Sequence, residues 1–249
     1  MAPKPDPKDV ATVETLAFVT RRFRRPASFL EVGCGSGRLA AALTRAGHAV
    51  TAIDAHADAV KAARAHGVAA VQADILAYED DPFDAVLFTR SLHHVHPLVP
   101  AIARARALVK PGGWLILEEF AHTRMDRATA RWFYDALELL VAAGRIGPEV
   151  KLHKPHADPL ERWRRWHAFT PPLHTEARME RAVARHFEVV ETARVPYLYR
   201  YATERLERSA AGVSAGQFVK ERETAHVAAG ILRPIGWRLE ARAVSAKRR

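Results

Sequence analysis

Residues 30–37 read Leu30-Glu31-Val32-Gly33-Cys34-Gly35-Ser36-Gly37, and three glycines stand at alternate positions directly after an apolar run. A chain gives up side chains this densely where the backbone turns sharply or where a ligand lies against it. An apolar strand, a glycine-rich turn and a following helix form the opening unit of a nucleotide-binding α/β sheet. Dinucleotide sites use G-x-G-x-x-G, with the pyrophosphate at the helix N-terminus. Here the pattern is G-x-G-x-G, and Glu31 sits two residues before the first glycine. A carboxylate there disfavours a pyrophosphate and suits a cation, such as an ammonium or a sulfonium.

Two further carboxylates extend this reading. Asp54 ends a second apolar run, 21 residues after Gly33. An acidic residue about 20 positions on is where a ribose diol is held. Asp74, in Gln72-Ala73-Asp74-Ile75, ends a third run and can accept from an adenine amine. All three carboxylates are expected at the C-terminal ends of strands, where open α/β sheets bind ligands.

The surrounding chain alternates. Strands are expected over 28–32, 49–53, 69–72, 85–88 and 114–118. Helices are expected over 10–25, 38–46, 58–66 and 98–108, with Gly47 and Gly67 as stops. Such alternation means crossover units, a parallel sheet and helices on both faces. After Glu119 the rhythm changes. A long helix over 125–143 and a proline- and tryptophan-rich stretch to 174 read as an inserted helical cap, residues 121–174. A helix over 175–186, a strand over 187–193 and a helix over 214–230 follow. Residues 237–244 alternate Trp237, Leu239, Ala241 and Ala243 with Arg238, Glu240 and Arg242, which reads as a half-exposed edge strand. Residues 1–25 are expected to form a tail, disordered over 1–8, and a helix; residues 26–249 form the main domain.

The successive stretches LEVGCGSG, AID, QADI, FDAVLFTRSLHHV and LVKPGGWLILEEF resemble, in order and spacing, the motifs of class I S-adenosylmethionine-dependent methyltransferases. The resemblance covers residues 26–120 and is closest to the group containing the ubiquinone and menaquinone biosynthesis enzymes. It implies a Rossmann-like, seven-stranded, mostly parallel sheet with the last strand antiparallel, and S-adenosyl-L-methionine as cofactor. By the same resemblance Glu31, Gly33, Cys34, Gly35 and Gly37 surround the methionine part. Asp54 holds the ribose, with Ala55 beside the adenine. Asp74 and Ile75 meet the adenine, and Thr89 and Arg90 supply backbone contacts near the methionine. The family joins its sixth and seventh strands more directly than residues 194–236 do here.

Methyl transfer by in-line displacement needs an aligned acceptor, exclusion of water and, for a protonated acceptor, a base. Ser91-Leu92-His93-His94-Val95-His96 follows the fourth strand, so His93 and His94 are the catalytic candidates. Of Glu118 and Glu119, one is expected to enter the crevice and the other to face solvent. The cap carries Trp132, Tyr134, Trp163 and Trp166 with Arg131, Arg162, Arg164 and Arg165. These residues belong either to a packed core with a solvated face or to a lid for a planar or acidic acceptor. The histidine spacing offers no paired ligand set on a helix, so no metal is expected.

Composition sets the remaining bounds. Cys34 is the single cysteine, which excludes an intramolecular disulfide and suits a cytoplasmic setting. The N-terminal stretch lacks the apolar core of a signal peptide, and no run has membrane-span length. The net charge is +10, and residues 151–249 hold 20 Lys/Arg against 11 Asp/Glu. The expected acceptor is a small molecule, methylated on oxygen or nitrogen. The basic C-terminal part keeps an RNA or protein methyltransferase as the alternative, and a non-catalytic cofactor-binding protein as another. A nicotinamide-dependent oxidoreductase is disfavoured by the glycine spacing. Oligomeric state is open.

Overall fold

The computed structural model describes residues 4–147 and 157–244. Of the expected disorder over 1–8, residues 1–3 lie outside the described residues, as do residues 148–156 of the expected cap. The chain divides into two compact units, one formed by residues 14–119, 174–193 and 237–249, the other by residues 1–13, 120–173 and 194–236.

The first unit is built on a seven-stranded sheet. Its strands are β1 (Ser28–Val32), β2 (Ala49–Asp54), β3 (Ala70–Gln72), β4 (Phe83–Thr89), β5 (Val109–Phe120), β6 (Glu188–Val195) and β7 (Gly236–Arg242), in the order β3-β2-β1-β4-β5-β7-β6. Pairings from β3 through β5 are parallel. Strand β7 runs antiparallel to β5, since Ala243 N–H donates to Gly113 O and Ala121 N–H donates to Ile235 O.

Alternation along the strands divides the side chains between two helical layers. Leu30, Val32, Val86, Phe88, Leu115 and Leu117 meet α4 (Leu98–Ala107) and α7 (Glu176–Val183) on one face. Phe29, Ala85, Leu87 and Ile116 meet α1 (Lys8–Thr20) and α2 (Arg38–Arg45) on the other. Helix α3 (Ala57–Ala65) closes a small core of Ala52, Val60, Ala63 and Val68.

Two expectations are corrected here. Strand β5 begins at Val109 rather than 114, because Lys110–Gly113 bulges out of register with β4 while still pairing with Ala243. Gly113 is required there, since a Cβ would stand 2.8 Å from Asp84 O. Strand β7 is not an edge strand. It lies between β5 and β6, and Glu240 is fully buried. Its charged face is covered at Glu240, where Arg21 Nε donates at 3.0 Å and Arg22 Nη2 at 2.8 Å, and Arg242 at its end is exposed. Burial alone would raise the Glu240 pKa; the two guanidiniums hold it below the usual carboxylate range. The alternating exposed edge is β6.

The second unit is helical. Helices α5 (Arg127–Ala142), α6 (Pro159–Trp166), α8 (Tyr199–Thr203) and α9 (Ala210–Ala228) enclose Phe120, Phe133, Leu137, Trp163, Tyr197 and Ile235. Residues 194–236 therefore share one core with residues 120–173. Asp126, Asp158 and Ser209 cap three of these helices by accepting backbone amides. Glu223, fully buried, accepts the amides of Tyr197, Leu198 and Tyr199 and so starts α8.

Candidate functional site

The order of strands reverses between β1 and β4, and the glycine turn follows β1 at that point. Gly33, Gly35 and Gly37 have φ of +72°, +53° and +73°, a conformation that L side chains adopt at a cost. Two of them are also packed. A Cβ on Gly33 would stand 2.4 Å from the Ser91 Cβ, and one on Gly37 would stand 2.7 Å from the Ala63 Cβ. A Cβ on Gly35 would meet nothing within 4 Å. The turn therefore packs at both ends and stays open in the middle, the shape of a cradle. Cys34 is buried in it; desolvation, then the charges of Glu31 and Asp54, push its thiol up to about 12, which disfavours the thiolate form.

Glu31 is 2% exposed on β1. Its Oε1 accepts the Thr89 hydroxyl at 3.2 Å across to β4. Its Oε2 has no hydrogen-bond partner. Burial pushes its pKa up to about 7, against the pull of the Thr89 hydroxyl and the Arg90 charge. An unpartnered oxygen in so dry a place is costly unless something charged completes it.

Asp54, at the end of β2, accepts Gly35 N–H on Oδ2 and His56 N–H on Oδ1, each at 2.9 Å. It thus ties the cradle to the adjacent strand and keeps lone pairs for a diol. Ala55 is exposed beside it. Asp74 is exposed and accepts Leu76 N–H at 2.9 Å. Ile75 instead packs into the main core at 3% exposure, leaving its backbone as its contribution to any ligand surface. Arg90 is the sole non-glycine residue with positive φ (+63°) among the described residues. Its amide donates to Glu118 O at 2.7 Å, which holds this sharp exit from β4.

The exit leads into a one-turn 3₁₀ segment, Leu92–His94. Its organising residue is Glu119, fully buried. One oxygen accepts the amides of Ser91 (2.9 Å) and Leu92 (2.7 Å); the other lies 2.6 Å from His93 Nδ1. His93 is buried and His94 exposed, with ring centroids 4.3 Å apart. Burial, then the His93 charge, lowers the His94 pKa, so this ring is neutral near neutral pH. Neither glutamate of the expected pair faces solvent. Glu118, 1% exposed, accepts Arg238 Nε at 2.8 Å and the Thr15 hydroxyl on the α1 face. Adjacent strand residues point to opposite faces, and here both faces are covered.

In the helical unit Trp163 and Tyr134 are core residues. Arg162 is buried as well, stacked 4.0 Å over the Tyr134 ring and paired with Glu138 at 2.7 Å. Arg131, Arg164 and Arg165 are exposed. Among the described residues no three His, Cys, Asp or Glu side chains converge as metal ligands. No described helix is long and apolar enough to cross a membrane. Glu119 as an organising residue, Ser91 and His174 were not singled out as site residues by sequence pattern; the usable signal for Ser91 was the need for a small side chain opposite Gly33.

Comparison with known proteins bears on this geometry. The ubiquinone biosynthesis O-methyltransferase of Xylella fastidiosa is 39% identical over 106 residues, covering 39% of this chain and 43% of that protein. The match thus spans less than half of the relative. The N-methyltransferase NodS of Bradyrhizobium japonicum, in complex with S-adenosyl-L-homocysteine, superposes with a TM-score of 0.53 over 97% of this chain and 89% of that one, at 14% identity. The 1,6-didemethyltoxoflavin N1-methyltransferase of Burkholderia thailandensis gives 0.52 over 94% and 79%, at 22% identity. These two likenesses establish the fold. Residues 10–169 match the family described as Methyltransferase domain, and the chain belongs to that family.

Proposed function

We propose that this protein transfers a methyl group from S-adenosyl-L-methionine to a hydroxyl or amine of a small molecule. The observation that carries the proposal is the buried Glu31 carboxylate with its unpartnered Oε2 beside an open glycine cradle. An ammonium group supplies both the charge and the donor that this oxygen lacks. Asp54 would hold the ribose hydroxyls, Asp74 and the backbone at Ile75 the adenine, and the backbone at Thr89 and Arg90 the methionine part. The cofactor supplies the electrophilic methyl group and the leaving group.

The chain's own part is orientation and proton removal. The short bond from His93 Nδ1 to Glu119 keeps the ring proton on Nδ1, so Nε2 carries the lone pair that takes a proton from the acceptor. Glu119 acts as a positioning residue, holding both the ring and the turn that presents it. His94, neutral and more exposed, is the second candidate base. A cytoplasmic setting is part of the proposal and rests on cysteine usage.

The test is a labelled-methyl assay against phenols, catechols, carboxylic acids and amines. A hydroxyl acceptor comes first, because the relative matched over 106 residues is named for O-methylation. Labelled product that is lost in Glu31→Gln supports the proposal. Cofactor binding without transfer to any acceptor class would leave a non-catalytic binding protein instead.

A further inference from the structure

Helix α7 carries Arg178 and Arg181, and Arg185 follows in the turn after its last residue, Val183. At 100° per residue Arg178 and Arg181 fall within about 60° of the helix circumference, and Glu176 and Glu180 fall on the other side. The buried stripe of α7 is Met179, Ala182 and Val183, so the arginines are outside the core. All three are exposed, and none forms an ion pair among the described residues. Arg21, Arg22 and Arg238 of the same unit are, by contrast, matched with carboxylates.

The row borders a cleft of about 470 Å³ whose other walls come from His96–Pro100 and His174. His174 is 1% exposed. Its Nε2 donates to Val95 O at 2.9 Å, which fixes the ring's proton there. Its Nδ1 is buried and has no hydrogen-bond partner. The His96 ring lies 4.0 Å away. One wall of the cleft thus carries a residue with a buried, unpartnered polar atom, and the charged side chains that line it are of one sign. A phosphate reaching this ring would favour protonation of Nδ1, which would then donate to a phosphate oxygen.

We propose that this cleft is an anion site for consecutive phosphate groups, separate from the cradle at Gly33–Gly37. Guanidinium forks match phosphate oxygens in geometry as well as charge. Arg178 and Arg181 are about 4.5 Å apart along the helix, and Arg185 extends the row past its end, so the row reaches more than one phosphate. Pro97, Val99 and Pro100 give the cleft an apolar wall for the organic part of the ligand. The phosphates belong either to a small organic polyphosphate or to a single-stranded nucleic acid.

The test uses the full chain with two probes, tripolyphosphate by calorimetry and a fluorescent single-stranded RNA 12-mer by anisotropy, each at low and high salt. Arg181→Ala/Arg185→Ala is compared with Arg131→Ala/Arg164→Ala, which removes two exposed arginines elsewhere. Tripolyphosphate binding that weakens at least tenfold in the first variant and not in the second supports the site. If RNA also binds, is displaced by tripolyphosphate and falls in the same variant, the phosphates are those of a nucleic acid, and the affinity drops steeply with salt. If RNA does not bind, they are those of a small molecule. No binding of either probe at low salt, or equal weakening in both variants, overturns the proposal. Both variants change exposed residues only, and an unchanged melting temperature verifies that each is folded.

Discussion

Glu119 Oε2 lies 2.6 Å from His93 Nδ1, while its Oε1 accepts the amides of Ser91 and Leu92. One buried carboxylate therefore sets both the path of the chain leaving β4 and the tautomer of the histidine on it. Glu119→Gln keeps an acceptor for the amides but loses the charge. It is expected to lower turnover roughly 10- to 100-fold with S-adenosylhomocysteine affinity changed less than twofold. His93→Ala is expected to lower turnover at least as much. Turnover retained in both His93→Ala and His94→Ala would remove the base from the account.

Glu31 makes cofactor binding pH-dependent. With its pKa raised to about 7, the carboxyl of the free protein is protonated below that pH and must ionise to meet an ammonium. Binding of S-adenosylhomocysteine should release a proton below about pH 7, and affinity should fall as pH drops from 7.5 to 6. Titrations in two buffers of different ionisation enthalpy measure that proton directly.

The same shift has a consequence for stability. A carboxyl whose folded pKa lies above its unfolded value of 4.5 binds more protons when folded, so stability declines as pH rises from 4.5 through about 7. Above that the full penalty remains, on the order of 3 kcal/mol. Glu31→Gln should therefore raise the melting temperature of the free protein more at pH 8 than at pH 5, while losing the cofactor. Melting scans at the two pH values check the sign.

The cradle glycines should separate strain from occupancy. Gly33→Ala collides with Ser91 and should destabilise the fold. Gly35→Ala has room, so its cost is the left-handed backbone, about 1 to 2 kcal/mol. Its new methyl group points into the open cradle, and S-adenosylhomocysteine affinity should fall at least tenfold. Urea unfolding and calorimetry on the two variants distinguish these effects.

Arg238 is the partner that keeps the buried Glu118 paired. Arg238→Ala removes the guanidinium paired with that buried charge and should cost about 3 to 5 kcal/mol. The double variant Glu118→Met/Arg238→Leu removes both charges and should recover most of the loss, as a urea-based double-mutant cycle would reveal.

Much of this fold was legible in the alternation of strands and helices up to Glu119, because each apolar run and each glycine stop carried a local signal. The sheet beyond was less so. Residues 237–244 alternate like a half-exposed strand, and that pattern is blind to partners 200 residues away. Arg21 and Arg22 allow Glu240 on the charged face of β7 to be buried. The cradle was visible because its glycines and carboxylates are local. The role of Glu119 depends on a neighbouring strand, and the placement of His174 on the hydrogen bond its N–H donates to His93 O at 3.0 Å, so neither leaves a trace in spacing.

The central claim is that the cradle at Gly33–Gly37 holds S-adenosyl-L-methionine through the Glu31 carboxylate. The most direct measurement is calorimetry at pH 8 with S-adenosylhomocysteine, with NAD as the control ligand, on the wild-type protein and on Glu31→Gln. The account predicts micromolar binding of S-adenosylhomocysteine, none of NAD, and at least a tenfold loss in the variant. Equal binding by the variant, or preference for NAD, would contradict it.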